Sequence, residues 1–257
     1  MKYYIVDAFT DAVFKGNQAG VCLADNWPSD QLMQDIAMEN NLAETAFVVP
    51  EANGFGLRWF TPTTEIDLCG HATLAAALVI TMTQGDKPGA LRFNTKSGAL
   101  TVTHHNGVYA MDFPARAPVR TELTPAMHAA FGAEFLEAWL ARDLLLIAKD
   151  EKTVRELAPD MRRISGLPGF GVIVSARGGA VDFVSRFFAP NAGVPEDPVT
   201  GSSHATLAPY WAERLGKKEM TALQLSARGG KLLCRHEGTR VIISGKAVLY
   251  LEGEIKI

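Results

Sequence analysis

Cysteine is scarce in this sequence, and its few cysteines follow no pattern that would build a disulfide framework. Cys22, Cys69 and Cys234 are an odd number, and no pair has the Cys-x-x-Cys spacing that is typical of zinc sites. Because thiols stay reduced in the cytosol, this usage predicts free thiols and a cytoplasmic location.

Several other classes of protein are disfavoured by what the sequence lacks. The formal net charge is −3, so no basic excess argues for nucleic acid as a partner. No apolar run approaches the length of a membrane span, and the N-terminus lacks the charged start and apolar core of a signal peptide. There is no Gly-x-Gly-x-x-Gly, no phosphate loop and no paired metal-ligand spacing, so we predict neither a cofactor nor a metal.

What the sequence does contain is a pair of similar stretches, one in each half. Phe60–Ile80 and Phe188–Trp211 both show an aromatic residue, a proline two positions later, an acid, a glycine turn and an apolar helix. The acids before the turns are Asp67 and Asp197, and both helices contain His-Ala-Thr-Leu. An ordered repeat of this kind predicts two lobes of similar build.

The helix in each stretch is apolar on nearly every side. Ala72–Ile80 carries no charge, and Ala205–Trp211 is similar before the chain reaches Gly216, a C-terminal stop signal. A helix of this composition is buried rather than lying on a surface. We therefore predict an α+β fold with two pseudo-symmetric lobes, each a mostly antiparallel β-sheet or barrel wrapped around a central helix.

The predicted lobes divide the chain near its middle, where Pro114 and Pro118 flank a boundary. The N-terminal lobe is expected to span residues 1–115, with the last strand, 246–257, as a candidate addition. The C-terminal lobe is expected to span 116–245, and the active site to lie between the two lobes.

Both glycine turns have the features of an anion site. Gly70 and Gly201-Ser202 open the two helices, and the first N–H groups of a helix have no partner inside it while the dipole adds partial positive charge. Two such starts facing one cleft would hold a small anionic substrate from both sides. Gly70, Gly201 and Ser202 are therefore predicted to bind the substrate.

Three titratable residues are candidates for proton transfer, each with an ordinary structural alternative. Glu44 precedes an apolar strand, where desolvation would raise its pKa toward neutrality; an exposed loop acid is the alternative. His71 could exchange protons or bind a carboxylate, or it could be a capping or core histidine. Asp197 could be a second acid/base or a ligand for a substrate amine, or it could bond to nearby loop N–H groups.

The residues before the two glycine turns differ in chemistry. Cys69 precedes the first turn, where a helix N-terminus would lower the pKa of a thiol, and a buried inert cysteine is the alternative. Thr200, at the matching place, has no comparable acidity. A symmetric mechanism with two thiols is therefore not available.

Three local features are also predicted. Lys15–Gly20 is expected to be a loop because glycine stands at both ends. Ser29 is expected to be the N-cap of a helix. Thr153-x-x-Glu156 is expected to be a capping box.

Taken together, these motifs resemble the PhzF-like family of phenazine-biosynthesis isomerases, within the diaminopimelate epimerase-like fold. The resemblance runs nearly end to end. Its markers are Asp7-Ala-Phe-Thr, Gly16-Asn-Gln-Ala, Asn41-Leu-Ala-Glu-Thr, Phe60-x-Pro-x-x-Glu through Cys69-Gly-His-Ala-Thr, and Glu196-Asp-Pro-Val-Thr-Gly-Ser.

The resemblance implies a cofactor-free isomerase that moves a proton between carbons of a small carboxylate substrate. It assigns the proton transfer to Glu44, an assisting role to His71 and Asp197, and substrate binding to Asn17 in the second marker. It also implies a homodimer, and the family's best-studied reaction isomerises a dihydro-hydroxyanthranilate. Related racemases use two cysteines, so an amino-acid racemase or epimerase using Cys69 is one alternative, and a non-catalytic small-ligand binding protein is another.

Overall fold

The computed structural model describes residues 1–85 and 89–257 and divides the chain into two compact units. Unit 1 consists of Met1–Asp112 and Ser244–Ile257, and unit 2 consists of Phe113–Ile243. The sequence predicts the boundaries between the two lobes after residues 115 and 245. Among the described residues, no helix combines the length and hydropathy needed to cross a bilayer.

The chain up to Pro114 supplies most of unit 1. Its helices are α1 (Asp30–Asn40) and α2 (Gly70–Gln84). Its strands are β1 (Lys2–Ala8), β2 (Asn17–Leu23), β3 (Glu44–Glu51), β4 (Gly54–Phe60), β5 (Glu65–Ile66), β6 (Gly89–Thr95), β7 (Gly98–His105) and β8 (Val108–Pro114).

The rest of the chain forms unit 2 and then returns to unit 1. The helices are α3 (Pro125–Phe131), α4 (Glu151–Arg155), α5 (Met161–Ile164) and α6 (His204–Leu215). The strands are β9 (Val119–Thr121), β10 (Phe135–Leu140), β11 (Leu144–Ala148), β12 (Val172–Arg177), β13 (Phe183–Ala189), β14 (Val194–Asp197), β15 (Glu219–Gln224), β16 (Gly230–Glu237), β17 (Arg240–Gly245) and β18 (Ala247–Glu254).

The sheet of unit 1 is mostly antiparallel. Strand β1 lies between β2 and β18 and runs antiparallel to both, and β3–β4, β6–β7 and β7–β8 are also antiparallel pairs. The pairs β2–β3 and β4–β6 are parallel. A parallel pair of strands needs a long crossover connection. The connection between β2 and β3 contains α1, and the connection between β4 and β6 contains α2.

Helix α2 forms the core of unit 1. All residues from His71 to Ala77 are buried, and the helix packs against β1, β2, β3 and β18. This confirms the prediction that an uncharged helix lies inside the lobe, because only a surrounding sheet can cover a helix that is apolar on every side.

Unit 2 repeats the plan with a different order of strands. Strand β12 runs parallel to β11 and antiparallel to β13, and β15 runs parallel to β13 and antiparallel to β16. Helix α6 is buried from His204 to Ala212, contacts β15 and β16, and ends at Gly216, as predicted. Both units thus combine a sheet with a buried helix, which confirms the α+β class.

Two of the three local predictions need correction. Ser29 is the N-cap of α1, and its side chain accepts from the Leu32 N–H, as expected. The capping box at Thr153 is wrong, because Asp150 caps α4 and accepts from the Thr153 N–H and hydroxyl. The predicted loop at Lys15–Gly20 is also too long, since β2 already begins at Asn17 and pairs with β1.

Candidate active site

Four polar side chains converge at one end of α2 in unit 1. Cys69 is the N-cap of α2 and His71 is its second residue. Asn17 and Glu44 are the first residues of the neighbouring parallel strands β2 and β3. Because α2 packs against both strands, the starts of these three elements bring the four side chains together.

His71 lies at the centre of this cluster. Its Nε2 atom is 3.0 Å from Glu44 Oε2, and its Nδ1 atom is 3.2 Å from Asn17 Nδ2 and 3.5 Å from Cys69 Sγ. When Asn17 donates to Nδ1, the ring proton is on Nε2 and faces Glu44. A doubly protonated ring instead requires the Asn17 amide to turn its oxygen toward Nδ1, so in both states the Nε2 proton faces the carboxylate.

The predicted rise in the pKa of Glu44 is wrong in direction. Burial alone raises the pKa of Glu44, but the charge of His71 and the close polar contacts of His71 and Cys69 with the carboxylate outweigh it and lower the pKa overall. Burial likewise lowers the pKa of His71, but interactions with Cys69 and Glu44 raise it well above the ordinary 6.5. The cluster therefore favours an ionised Glu44 beside a protonated His71.

Of the two alternatives for Cys69, the structure agrees with the buried inert cysteine and not with the acidic thiol. Burial and the negative charge of Glu44 both raise the pKa of the Cys69 thiol, and these effects exceed the opposing contributions of His71 and of the Ala72 N–H at the helix start. Cys69 is 6% exposed. Near neutral pH the side chain is a thiol and not a thiolate.

The first turn of α2 offers free hydrogen-bond donors beside this cluster. The Thr73 N–H is the first to bond back, to the Cys69 carbonyl at 3.0 Å. Within residues 1–85 and 89–257, the N–H groups of Gly70 and His71 have no acceptor, whereas the Ala72 N–H donates to the Cys69 sulfur. This helix start has the donors and the dipole of an anion site, and substrate binding by Gly70 stays a prediction.

A second polar cluster, in unit 2, surrounds Asp197 at the end of β14. The Thr200 hydroxyl donates to Asp197 Oδ2 at 2.5 Å. The buried amide of Gln224 donates to the Asp197 carbonyl at 2.7 Å and accepts from the Thr200 N–H at 2.9 Å. The sequence did not indicate a role for Gln224, because this residue is the last of an ordinary strand, β15, and belongs to no motif.

The start of α6 differs from the prediction. The helix begins at His204 and not at the glycine turn, and Gly201–Ser203 form a tight turn ahead of it. The His204 N–H bonds to the Gly201 carbonyl at 3.0 Å, and His204 Nδ1 donates to the Thr200 carbonyl at 2.9 Å. The N–H groups of Gly201, Ser202 and Ser203 donate to no acceptor in the described part of the chain, so the donors predicted here are free.

The predicted site residues thus fall into two groups, one in each unit. Glu44, His71, Asn17 and Gly70 belong to the first group, which Cys69 joins. Asp197, Gly201 and Ser202 belong to the second group, together with Thr200 and Gln224. That these groups form one active site stays a prediction, and so does substrate binding by Asn17, whose buried amide contacts His71.

The cluster in unit 1 also contains a potential set of metal ligands. One donor atom each from Glu44, Cys69 and His71 lies within 4.8 Å of the other two. The spacing of residues in the sequence does not indicate this set, because Glu44 lies in β3 whereas Cys69 and His71 lie at the start of α2.

Comparisons with known proteins give a consistent assignment. A family model described as phenazine biosynthesis-like protein matches residues 6–253. A Pseudomonas aeruginosa protein described as an uncharacterized isomerase is 51% identical over 252 residues, which cover 98% of this chain and 97% of that protein. A crystal structure from Enterococcus faecalis, described as a phenazine biosynthesis protein of the PhzF family, is 49% identical with a TM-score of 0.98 and covers 100% of this chain and 99% of its own.

A more distant structure shows the fold alone. A probable proline racemase from Agrobacterium radiobacter has a TM-score of 0.66 at 8% identity, covering 100% of this chain and 93% of its own. This likeness agrees with the predicted epimerase-like architecture. On the family match and the two close relatives, the chain belongs to the phenazine biosynthesis-like (PhzF) family of isomerases.

Proposed function

We propose that this protein is a cofactor-independent isomerase that moves a proton between two carbons of a small carboxylate substrate. Glu44 removes and returns the proton, His71 holds Glu44 and balances its charge, and Asp197 assists. The observation that carries the proposal is the 3.0 Å contact between Glu44 and His71, next to the free N–H groups that begin α2.

The state of Glu44 suits the first step. Its lowered pKa leaves it ionised, so it can accept a proton from a substrate carbon. The C–H electrons then move into the neighbouring π-system as the double bond shifts. Return of a proton from Glu44 to a different carbon restores the carboxylate, so atoms and electrons balance without a co-reactant.

The start of α2 suits the charge that develops in this step. Removing a proton conjugated to a carboxylate spreads negative charge onto the carboxylate oxygens. The free N–H groups of Gly70 and His71 would hold that charge most strongly in the transition state, where it is largest. Gly201 and Ser202 offer similar donors in unit 2.

Asp197 is held in a fixed position for an assisting role. Its Oδ2 atom accepts from the Thr200 hydroxyl, and its backbone carbonyl accepts from Gln224. A carboxylate held in this way can orient a polar substituent of the substrate, such as an amine.

The alternative of a thiol-based racemase has less support. A racemase base must be ionised to attack a carbon acid, whereas burial and Glu44 keep the Cys69 side chain protonated. The matching residue in unit 2, Thr200, donates its hydroxyl proton to Asp197 and is not a base of comparable strength.

Solvent deuterium exchange tests the proposal directly. A panel of small unsaturated carboxylates, including dihydro-hydroxyanthranilate, would be incubated with the protein in D2O and followed by proton NMR. We expect one member to be isomerised, with turnover reduced about 10²–10⁴-fold in Glu44→Gln because the proton carrier is lost. Glu39→Gln, an exposed change on α1, serves as the matched control.

Three outcomes of this assay would contradict the proposal. Full turnover by Glu44→Gln would remove Glu44 from the reaction. Exchange at a stereocentre without a double-bond shift, abolished by Cys69→Ala, would establish the racemase. Thermal stabilisation by a panel member with no product from any of them would identify a binding protein.

A further inference from the structure

The side chains of Glu44, Cys69 and His71 present three different metal-binding atoms to one another. We propose that this trio is a Zn²⁺ site, with Sγ of Cys69, Nε2 of His71 and a carboxylate oxygen of Glu44 as protein ligands. The proposal goes beyond the isomerase function, because metal binding requires only these three side chains and stands whether or not the chain is a catalyst.

The chemistry of the donors favours zinc over magnesium and calcium. Sulfur, imidazole nitrogen and carboxylate oxygen are the three ligand types that Zn²⁺ uses in proteins. Mg²⁺ and Ca²⁺ require sets composed of oxygen, so the thiol of Cys69 excludes them. Three protein ligands leave the fourth tetrahedral position for water or an anion.

The spacing of the donors is close to what a tetrahedral ion needs. Zinc bond lengths place neighbouring ligand atoms roughly 3.3–3.8 Å apart. One donor atom from each residue lies within 4.8 Å of the other two, His71 Nε2 is 3.0 Å from Glu44 Oε2, and Cys69 Sγ is 3.5 Å from the other ring nitrogen, Nδ1. Small rotations of the Glu44 and Cys69 side chains, with the backbone unchanged, would complete the set.

Two of these atoms have hydrogen-bonding capacity that the protein does not use. Glu44 Oε2 and His71 Nε2 are both buried, and although they lie 3.0 Å apart their contact does not have hydrogen-bond geometry. Neither atom has a hydrogen-bond partner elsewhere in the described residues. A ligand bound by both atoms would use this bonding capacity. A poorly aligned ion pair leaves it unused.

The surroundings of the trio provide orientation and access. Asn17 contacts Nδ1 of His71, the ring nitrogen that the ion would not use, and such outer partners fix the ring of a metal-binding histidine. The Glu44 side chain is 15% exposed while that of His71 is 7% exposed, so an ion would enter past Glu44. A bound ion would occupy the atoms to which we assign proton transfer, so zinc would inhibit turnover.

Cobalt spectroscopy on the untagged full chain tests the site without a substrate. Co²⁺ replaces Zn²⁺ in such sites and gives an intense near-ultraviolet charge-transfer band only when a thiolate is bound. We expect the band to saturate at one Co²⁺ per chain and to disappear when Zn²⁺ is added. Exposed histidines that bind cobalt produce no thiolate band and do not interfere.

Matched variants identify the ligands. Cys69→Ser should abolish the band in a protein that circular dichroism shows to be folded, whereas Cys22→Ala, at another buried cysteine of unit 1, should retain it. Glu44→Gln should weaken Co²⁺ binding by roughly tenfold or more, as loss of a supporting ligand does.

The same experiment contains the results that would overturn the site. A folded wild-type protein without a thiolate band at saturating Co²⁺ would exclude it, and so would a band that persists in Cys69→Ser. A wild-type band together with a failed isomerase assay would separate the two proposals, leaving the metal site established and the catalytic role rejected.

Discussion

At the scale of single residues, two histidines in the same tetrapeptide have opposite charge preferences. His71 and His204 both begin His-Ala-Thr-Leu and both are buried. Next to Cys69 and Glu44, the pKa of His71 rises well above 6.5 despite its burial. Burial without an acidic neighbour lowers the pKa of His204 to about 4, although its bond to the Thr200 carbonyl opposes the shift. The side chains from neighbouring elements therefore decide the charge of each ring.

We predict from His204 that the protein loses stability in mild acid. A histidine with a folded pKa of about 4 and an unfolded pKa of 6.5 binds more protons when unfolded throughout that window, so stability rises with pH there. The full contribution is present above pH 6.5, and about 3 kcal/mol is lost by the time the pH has fallen through the folded value.

Urea unfolding of the wild type and of His204→Asn would measure this contribution. Carboxylates also titrate in this window, so the difference between the two proteins isolates the histidine. We expect the pH-dependence of the wild type to be the steeper between about pH 7 and about pH 5. Equal slopes would show that His204 titrates normally in the folded state.

At the scale of elements, the two central helices begin differently although their sequences are alike. Helix α2 starts directly at Gly70, with Cys69 as an extended N-cap. Helix α6 starts at His204 after a tight turn whose carbonyls accept from the helix's first N–H groups. The side chains of Ser203 and His204 both donate to the Thr200 carbonyl, which closes this turn. At the start of α2, the Thr73 hydroxyl donates to the Cys69 carbonyl at 2.5 Å, but the Cys69 side chain itself does not cap the helix.

The end of α6 provides a prediction about backbone conformation. Gly216 has φ +65, a left-handed value, and a Cβ added there would meet none of the described residues within 4 Å. Gly216→Ala should therefore cost about 1 kcal/mol of unfolding free energy through the backbone alone, whereas Gly216→Asn should cost less because asparagine tolerates this conformation. Urea denaturation of the three proteins would measure both values, and an alanine variant as stable as the wild type would contradict the argument.

At the scale of the whole molecule, we predict that the chain forms a homodimer, as the family resemblance implies. Unit 1 exposes a group of large apolar side chains, with Phe14 64%, Tyr250 46% and Leu251 38% exposed. The rings of Phe14 and Tyr250 lie in edge contact 5.5 Å apart, so they form a single patch. Adjacent apolar side chains that remain exposed are typical of an association surface.

Light scattering during size-exclusion chromatography would measure the assembly. We expect the mass of a dimer for the wild type and a concentration-dependent shift toward monomer for Phe14→Ser, which removes the most exposed ring. Val119→Ser, at an exposed apolar position in unit 2, should leave the dimer intact. A monomeric wild-type protein, or a dimer that Phe14→Ser does not weaken, would contradict this prediction.

Much of the architecture could be predicted because it depends on local composition. The uncharged run in α2 required burial, Ser29 had the side chain of an N-cap, and Gly216 could adopt the left-handed conformation that ends a helix. The error at Thr153 has a local cause too. Asp150, three residues earlier, is an equally good N-cap. The motif alone does not indicate which of the two residues begins the helix.

The sequence by itself determined which groups are available: a carboxylate before a strand, a thiol and an imidazole at a helix start, and two glycine turns. Only the tertiary structure decided their chemical states. Glu44 became more acidic and Cys69 less acidic than expected because β3 brings the carboxylate against the start of α2. Electrostatic energies depend on distance and burial in space, and neither quantity is contained in the order of residues along the chain.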